Sequence, residues 1–456
     1  VIANICLSDS QSPDTRTQST QGHDNRIPEG AVRIDADYPE LTFTDGTGIY
    51  AQSAKGGDPS FNTLTFDHLV REKGYTLTAV STDKESGVKD SYYSIIEIKN
   101  ADDASQAVLD AVNTDQTKWT SLPDDGSIKV PGTKTGYYIV LIKTSDNVGN
   151  EAVYASNGVV IDTTEPVLTV SGIDSSTVYG SDVTYSVTLG DPEDINGVKT
   201  GIDKVIVTVE KDGKKVEGSK YIDSYELSAS DIYNNTAGNA TFDGFAISSA
   251  DKTFNGKITA ANSNSNDVVL VVKVIDKAGN EIISTTHLKI DATAPKINVS
   301  YDGNTPKNGT YFNQDRLMTV LFTERNFEEA RASFSIEVDG VKGNYTIAQI
   351  REGKVDGVYL AEDRRDSESD IKDGHYTDAR TNQYIIGFGG NGTPSDHDYT
   401  VSVAYRDPAG NESTVDYGDS TAPESFTVDE IAPQLTVIYT NSNGEDVPVG
   451  TDAPSP

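Results

Sequence analysis

The chain is poor in sulfur and in positive charge. Its 456 residues include one cysteine, one methionine and one tryptophan, so no internal disulfide can close and no paired-cysteine metal centre can form. Cys6 lies on the strand face opposite Val1, Ala3, Ile5 and Leu7, which reads as a half-exposed structural thiol rather than a reactive one. No apolar run reaches the roughly 20 residues of a membrane-spanning helix, and no secretory leader is visible. Lys and Arg total 37 against 71 Asp and Glu, for a net charge of −34. A field of that sign, spread over the whole chain, repels phosphate backbones and anionic lipid and argues against nucleic acid or a membrane surface as partner.

Catalytic groupings are missing too. The five histidines, His23, His68, His287, His375 and His397, stand in unlike contexts and make no His-x-x-x-His or His/Cys pair. There is no Gly-x-Ser-x-Gly elbow and no phosphate loop. The adjacent acids Glu362 and Asp363 sit inside a charge run, where solvation is the expected state. The chain is read as non-catalytic.

What it does have is a period. Ile/Val-Asp followed after three residues by Pro occurs at Ile34-Asp35…Pro39, Ile161-Asp162…Pro166, Ile290-Asp291…Pro295 and Val428-Asp429…Pro433. The prolines fall 127, 129 and 138 residues apart, so one module recurs. Asp-x-x-Gly-Asn-Glu precedes the last three, at Asp146, Asp276 and Asp407. Counting back by twos gives Thr144, Ile142, Val140 and Tyr138, then Val274, Val272, Leu270 and Val268, then Tyr405, Val403, Val401 and Tyr399. That is one strand face written three times. The same count from Asp9 makes the first residues the expected end of a further, truncated copy.

The strand after each turn alternates likewise, with Val32 and Ile34, Val159 and Ile161, Leu288 and Ile290, and Phe426 and Val428 on one side. Further Val/Ile/Thr/Tyr-rich runs, Leu41–Phe43, Tyr75–Val80, Tyr92–Ile96, Val183–Val187 and Val205–Val209, are bounded by Gly, Asp, Asn and Ser. Modules of roughly 130 residues with this strand density imply all-β sandwiches. The expected division is 1–38 as the last strands of a truncated domain, 39–165, 166–294 and 295–432 as whole domains, and 433–456 as the start of another or a linker. The only helices predicted are short inserts near Asp103–Val112 and Glu328–Ala332.

The paired phrases resemble those of bacterial immunoglobulin-like (Big-type) modules, strung along cell-surface and secreted proteins, chiefly of Gram-positive bacteria. Asp83…Ser86-Gly87-Val88 and Glu324-Arg325-Asn326-Phe327 look like further recurrent pieces of such modules. The resemblance implies tandem Ig-like β-sandwiches in an elongated rod, outside the cell or on its wall, with no catalytic residues. Scarcity of cysteine suits that setting better than a disulfide-bridged Ig domain.

The phrases have local reasons. In Asp-x-x-Gly-Asn the aspartate can accept from amides two or three residues on, while Gly and Asn tolerate positive φ. In Ile-Asp-x-x-x-Pro the proline ends one strand and starts the next module extended, leaving a short linker and a stiff, end-to-end arrangement. In an Ig-like topology the turn lies near the preceding linker. Asp162 would then approach Asp191, Asp194 and Asp276, and Asp35 would approach Asp83 and Asp146. Such clusters suit calcium. The alternative, preferred because no Asp-x-Asp-x-Asp loop is present, is that each Asp caps its own turn and stays solvated.

Binding is expected in the variable loops. Turn aspartate and linker aspartate lie 16 and 15 residues apart in two copies, but 22 and 26 in the others, with the extra residues in Gln11–Gly30 and Thr414–Glu424. A charged insert from Ala361 to Asp378 and the glycine-rich stretch after it nominate Arg364, Arg365, His375, Tyr376 and Phe388 as the first choice for a ligand-facing segment, with a merely solvated loop the preferred alternative. Trp119 reads as core rather than as a sugar platform. An intramolecular Lys–Asn bond is a further option that sequence does not place. Two function classes stand. One is a monomeric bacterial stalk or adhesin segment gripping a host or matrix protein, such as immunoglobulin or mucin, or a glycan. The other is an accessory polysaccharide-binding or spacer array of a secreted carbohydrate-active enzyme.

Overall fold

The computed structural model describes residues 5–6, 31–32, 34–71, 74–113, 117–130, 135–193, 197–233, 252–365, 370–418, 425–440 and 443–447. The period-2 faces become the central strands Gly136–Asp146, Ser265–Asp276 and Asp396–Tyr405. Every residue of the three counted faces is buried, from Tyr138 through Thr144, Val268 through Val274, and Tyr399 through Tyr405. Each central strand runs antiparallel on one side to Glu151–Ser156, Glu281–Ile290 or Ser425–Asp429 and, on its other side, to Val88–Ile98, Ile202–Lys211 or Ala332–Val338.

A second sheet closes each core. It is built from Glu40–Phe43, Tyr75–Thr82 and Ser127–Val130 in the first module, and from Val167–Ser171, Val183–Gly190 and Lys252–Ile258 in the second. In the third it is formed by Lys296–Tyr301, Arg316–Thr323, Val358–Arg365, Thr381–Phe388 and Thr414–Asp416. Each pair of sheets encloses its own cluster: Leu77, Ile128, Val140 and Ile161; then Tyr185, Val187, Val207 and Val272; then Phe322, Phe334, Tyr384 and Phe388. Fully burying such a side chain contributes about 1.5–3 kcal/mol, so each sandwich carries its own hydrophobic core. The chain is a series of Ig-like β-sandwiches laid end to end. A short strand pairs in parallel with the last strand of every module: Phe66–Val70 with Gly158–Ile161, Val178–Tyr179 with Glu281–Ile290, and Tyr311–Phe312 with Ser425–Asp429.

The first module also covers the outer face of its larger sheet. Asn100 accepts from the Asp103 amide at 3.0 Å and leads into a short 3₁₀ turn and the helix Ala104–Asn113. Ala104 and Val108 of that helix pack on Tyr50, Ile139 and Leu141, with Trp119 partly buried beside them. This explains why Tyr137–Ile142 is apolar at every position. The turn at Glu329–Arg331 also forms, whereas the short helices Ala229–Tyr233, Ala260–Ser263 and Ile347–Arg351 had too little periodicity to be predicted. Ile34 departs from its expected inward position: it lies in the linker, 42% exposed. Near the start of the chain Ile5 pairs with Val32 and Cys6 with Ala31, while Asp9 and Gln11–Gly30 lie outside the described residues.

Glycine fixes one close contact within the second sandwich. A Cβ built on Gly256 would lie 2.2–2.7 Å from the ring and hydroxyl of the buried Tyr185, which hydrogen-bonds Tyr225. Gly256→Ala is expected to destabilise the second module by about 1–3 kcal/mol through overpacking, read as an earlier transition in urea; an unchanged midpoint would contradict this packing.

Candidate site at the carboxylate junctions

Each Asp-x-x-Gly-Asn phrase closes the turn after a central strand. The Asp146 carboxylate accepts from the amides of Val148, Gly149 and Asn150 at 2.9, 2.6 and 2.8 Å. The glycines take φ of 103°, 92° and 90° at 149, 279 and 410, a region open to glycine without a Cβ penalty. The asparagine does something different from the expected positive φ. Its side-chain amide donates both to its own turn's aspartate and to the carbonyl of the preceding linker aspartate. The pairs are Asn150 with Asp35 (3.2 Å), Asn280 with Asp162 (2.8 Å) and Asn411 with Asp291 (2.8 Å). One side chain thus ties the turn to the strand that enters the module.

This tie brings carboxylates together at three junctions. Asp35, Asp83 and Asp146 form one cluster, Asp162, Asp191 and Asp276 the next, and Asp291, Glu324 and Asp407 the third; within each, one oxygen per residue lies within 4.8 Å of the others. Asp194 lies outside the described residues. The third cluster was not singled out from sequence, although a signal exists. Asp83, Asp191 and Glu324 each directly follow the strands Tyr75–Thr82, Val183–Gly190 and Arg316–Thr323. The change from Asp to Glu, inside a differently worded phrase, hid the equivalence.

Three carboxylates this close repel one another. At an effective dielectric near 20, each pair costs on the order of 3 kcal/mol if both are ionised. Burial pushes Asp191 and Asp276 up to about 6, with the neighbouring Asp162 charge raising both further and hydrogen bonds from Gly201, Thr200 and Asn280 opposing the rise. Asp162 is raised as well, again chiefly by burial. At Asp146 burial also raises, but the hydrogen bonds from its own turn outweigh it and the net direction is down. In the third cluster burial and the Asp291 and Asp407 charges hold Glu324 well above the usual carboxylate range. Asp191 Oδ1 is buried and has no hydrogen-bond partner, although its other oxygen accepts from Thr200 and Gly201 at 3.0 and 2.5 Å. Among the described residues no lysine or arginine pairs with any carboxylate of the first two clusters; Lys199, the cation acting on Asp191, is itself bonded to Glu193 at 2.6 Å. Converging, partly desolvated carboxylate oxygens are the donor set that a hard divalent cation such as calcium takes.

The nominated loop residues disperse. Val358–Arg365 is a strand, pairing with Thr381–Phe388 across a bulge between Leu360 and Glu362, so the charged insert starts as sheet and not as loop. Arg364 pairs with Glu362, and Arg365 with Asp363 and Glu329. His375 and Tyr376 lie on the hairpin formed by Ile371–Lys372 and His375–Tyr376, with the Arg380 guanidinium 3.9 Å from the Tyr376 ring centre. Phe388 is fully buried against Tyr399 and Phe426. It is the inward position at the end of its strand and no surface residue. Trp119 is half-buried, with Lys143 4.8 Å from its ring centre.

Neither a protein-family model nor a characterised protein sequence matches the chain. Among solved structures it is similar to a tetra-tandem repeat in the extending region of a large adhesion protein, at 14% identity and a TM-score of 0.30, covering 85% of this chain and 76% of that one. It is also similar to a 1.5-MDa bacterial ice-binding adhesin structure, at 15% identity and a TM-score of 0.24, covering 78% and 91%. A third similarity is to fibronectin(III)-like modules of Clostridium thermocellum CbhA, at 9% identity and a TM-score of 0.26, covering 52% and 94%.

The raised carboxylates set a pH dependence. With folded pKa values near 6 against 3.8 for the free group, the folded metal-free chain binds more protons than the unfolded one between those values. Its stability therefore falls as pH rises through about 4 to 6, by roughly 3 kcal/mol for the buried Asp276 alone. Asp146, shifted the other way, loses its contribution only below the ordinary carboxylate range. In chelator, the second module should melt at a higher temperature at about pH 5 than at about pH 7.5; the opposite trend would show that these groups are not crowded.

Proposed function

We propose that this chain is a non-catalytic segment of a bacterial surface stalk or adhesin, whose sandwiches are set end to end and stiffened by calcium at the junction carboxylates. The observation that carries the reading is the recurrence of one arrangement: linker aspartate, residue after the second-sheet strand, turn aspartate, and an asparagine binding turn to linker. Crowded, buried carboxylates cost stability in the absence of a counter-ion, and a bound divalent cation reverses that cost while joining two modules. A rod so joined holds loops at a distance from its anchor. The exposed hairpin carrying His375 and Tyr376 is the surface through which it would grip a host or matrix protein. The second reading, a polysaccharide-binding or spacer array of a secreted carbohydrate-active enzyme, draws on Trp119. That side chain lines an open groove of about 420 Å³ with Lys55, Lys143 and Glu151. No helix among the described residues is long and apolar enough to cross a membrane.

Asp191→Asn separates the metal reading from simple turn capping. The variant amide keeps an acceptor for Thr200 and Gly201 and removes one charge. In chelator it should melt above the parent, and at millimolar calcium it should lose the parent's gain, which is about 2.7 kcal/mol at a hundredfold excess over Kd. A parent chain whose melting is indifferent to calcium would end the metal reading.

A further inference from the structure

We infer that the three junctions are not equivalent: the one between the second and third modules is locked by Arg325 and stays fixed without a cation. The inference rests on the metal reading above for the behaviour of the upstream junctions. Its own basis is the set of partners around Arg325.

At the junction of the first and second modules, few side chains cross. Asn280 holds the Asp162 carbonyl, the Thr200 hydroxyl donates to the Asp162 carboxylate at 3.0 Å, and the exposed Arg71 donates to the Gly279 carbonyl at 2.7 Å. Among the described residues no guanidinium or ammonium bonds a carboxylate of this site; Lys199 acts on Asp191 only through space, its ammonium being held by Glu193 at 2.6 Å. The carboxylates face one another with Asp191 Oδ1 unpartnered.

Downstream, the residue after the equivalent strand is Glu324, and the next one reaches back across the boundary. The Arg325 side chain is 5% exposed. It donates to Asn264 Oδ1 of the second module at 2.7 Å, to the Ile290 carbonyl of that module's last strand at 3.4 Å, and to Asp378 of the third module at 2.5 and 2.8 Å. One of its nitrogens lies 3.7 Å from Asp291 Oδ1. Asn326 adds a second bridge, donating to Asp291 Oδ2 at 2.5 Å and accepting from Asn266 of the second module at 2.7 Å. Arg380 supports the loop from behind by donating to the carbonyls of Arg325 and Phe327. Gly180 allows the modules to meet closely, since a Cβ there would lie 2.6 Å from the Ala409 carbonyl oxygen.

The guanidinium thus does at this junction what a cation does at the others. It supplies positive charge beside the linker aspartate, and its planar, multi-donor head joins groups from both modules in one geometry. Unlike a bound ion, it cannot be removed by a chelator. Asp291, Glu324 and Asp407 have no unpartnered buried oxygen, in contrast to Asp191. The chain then has cation-dependent joints upstream and a permanently fixed one beside the His375–Tyr376 hairpin, whose Asp378 neighbour is part of the lock.

Single-molecule energy transfer in the full chain tests this. In a Cys6→Ser background, dyes at Lys99→Cys and Lys214→Cys span the upstream junction, and dyes at Lys214→Cys and Lys342→Cys span the downstream one. Chelator should broaden and shift the first distribution and leave the second unchanged. Arg325→Gln should make the second respond to chelator; Asn264→Ala, which removes a partner from the second module without disturbing the third module's interior, should do so more weakly. A parent chain whose downstream distribution broadens in chelator as much as the upstream one overturns the inference, as does a narrow distribution in both variants. If the upstream junction ignores chelator, the metal reading fails, while a downstream loosening in Arg325→Gln still upholds the lock.

Discussion

The crowding of acid groups where one sandwich meets the next is the constraint on which the architecture turns. Three carboxylates are brought within 4.8 Å by a linker, a strand end and a turn that belong to different parts of the fold. The arrangement persists because the turn is stabilised independently. The aspartate of each phrase accepts from amides of its own loop, and the asparagine amide then fastens that loop to the linker carbonyl. A buried carbonyl left without that donor would cost about 1–3 kcal/mol. The module entry and the turn are therefore fixed together, and the charges come along with them.

This division of labour separates folding from assembly. The cores of the three sandwiches are closed by alternating apolar faces and share no buried cluster. Relative orientation is left to a short linker and a few polar groups. A polar, charge-dependent boundary between rigid bodies is a place where ionic conditions act on shape without melting the parts. In the third module the boundary is built around the Arg325 guanidinium, next to the charged hairpin that carries His375 and Tyr376.

Much of this was legible in the sequence. Alternation alone placed Tyr138, Val140, Ile142 and Thr144 and their counterparts inside, because a strand with one covered face must alternate. The repeat period gave the spacing of the Ile/Val-Asp-x-x-x-Pro phrases, and general Ig-like topology was enough to bring Asp162 towards Asp191 and Asp276. Less visible were features that depend on three-dimensional closure. The bridging role of Asn150, Asn280 and Asn411 needs the linker carbonyl as partner, which no local pattern reveals. Glu324 was hidden because it is a glutamate inside a differently worded phrase, and the spacing from linker aspartate to the equivalent residue, 48, 29 and 33, keeps no fixed value that would single it out. Phe388 was misleading because a glycine-rich run follows it, while its own position is the last inward one of a strand. Arg325 read as part of a recurrent phrase, and only the neighbouring module shows what it binds.

The most direct test of cation-joined modules is crystallographic: diffraction from crystals grown with manganese in place of calcium, recorded near the manganese absorption edge. An anomalous peak coordinated by Asp162, Asp191 and Asp276 is the expected result. A well-ordered junction with no peak, in which those carboxylates hydrogen-bond one another or water alone, would contradict it.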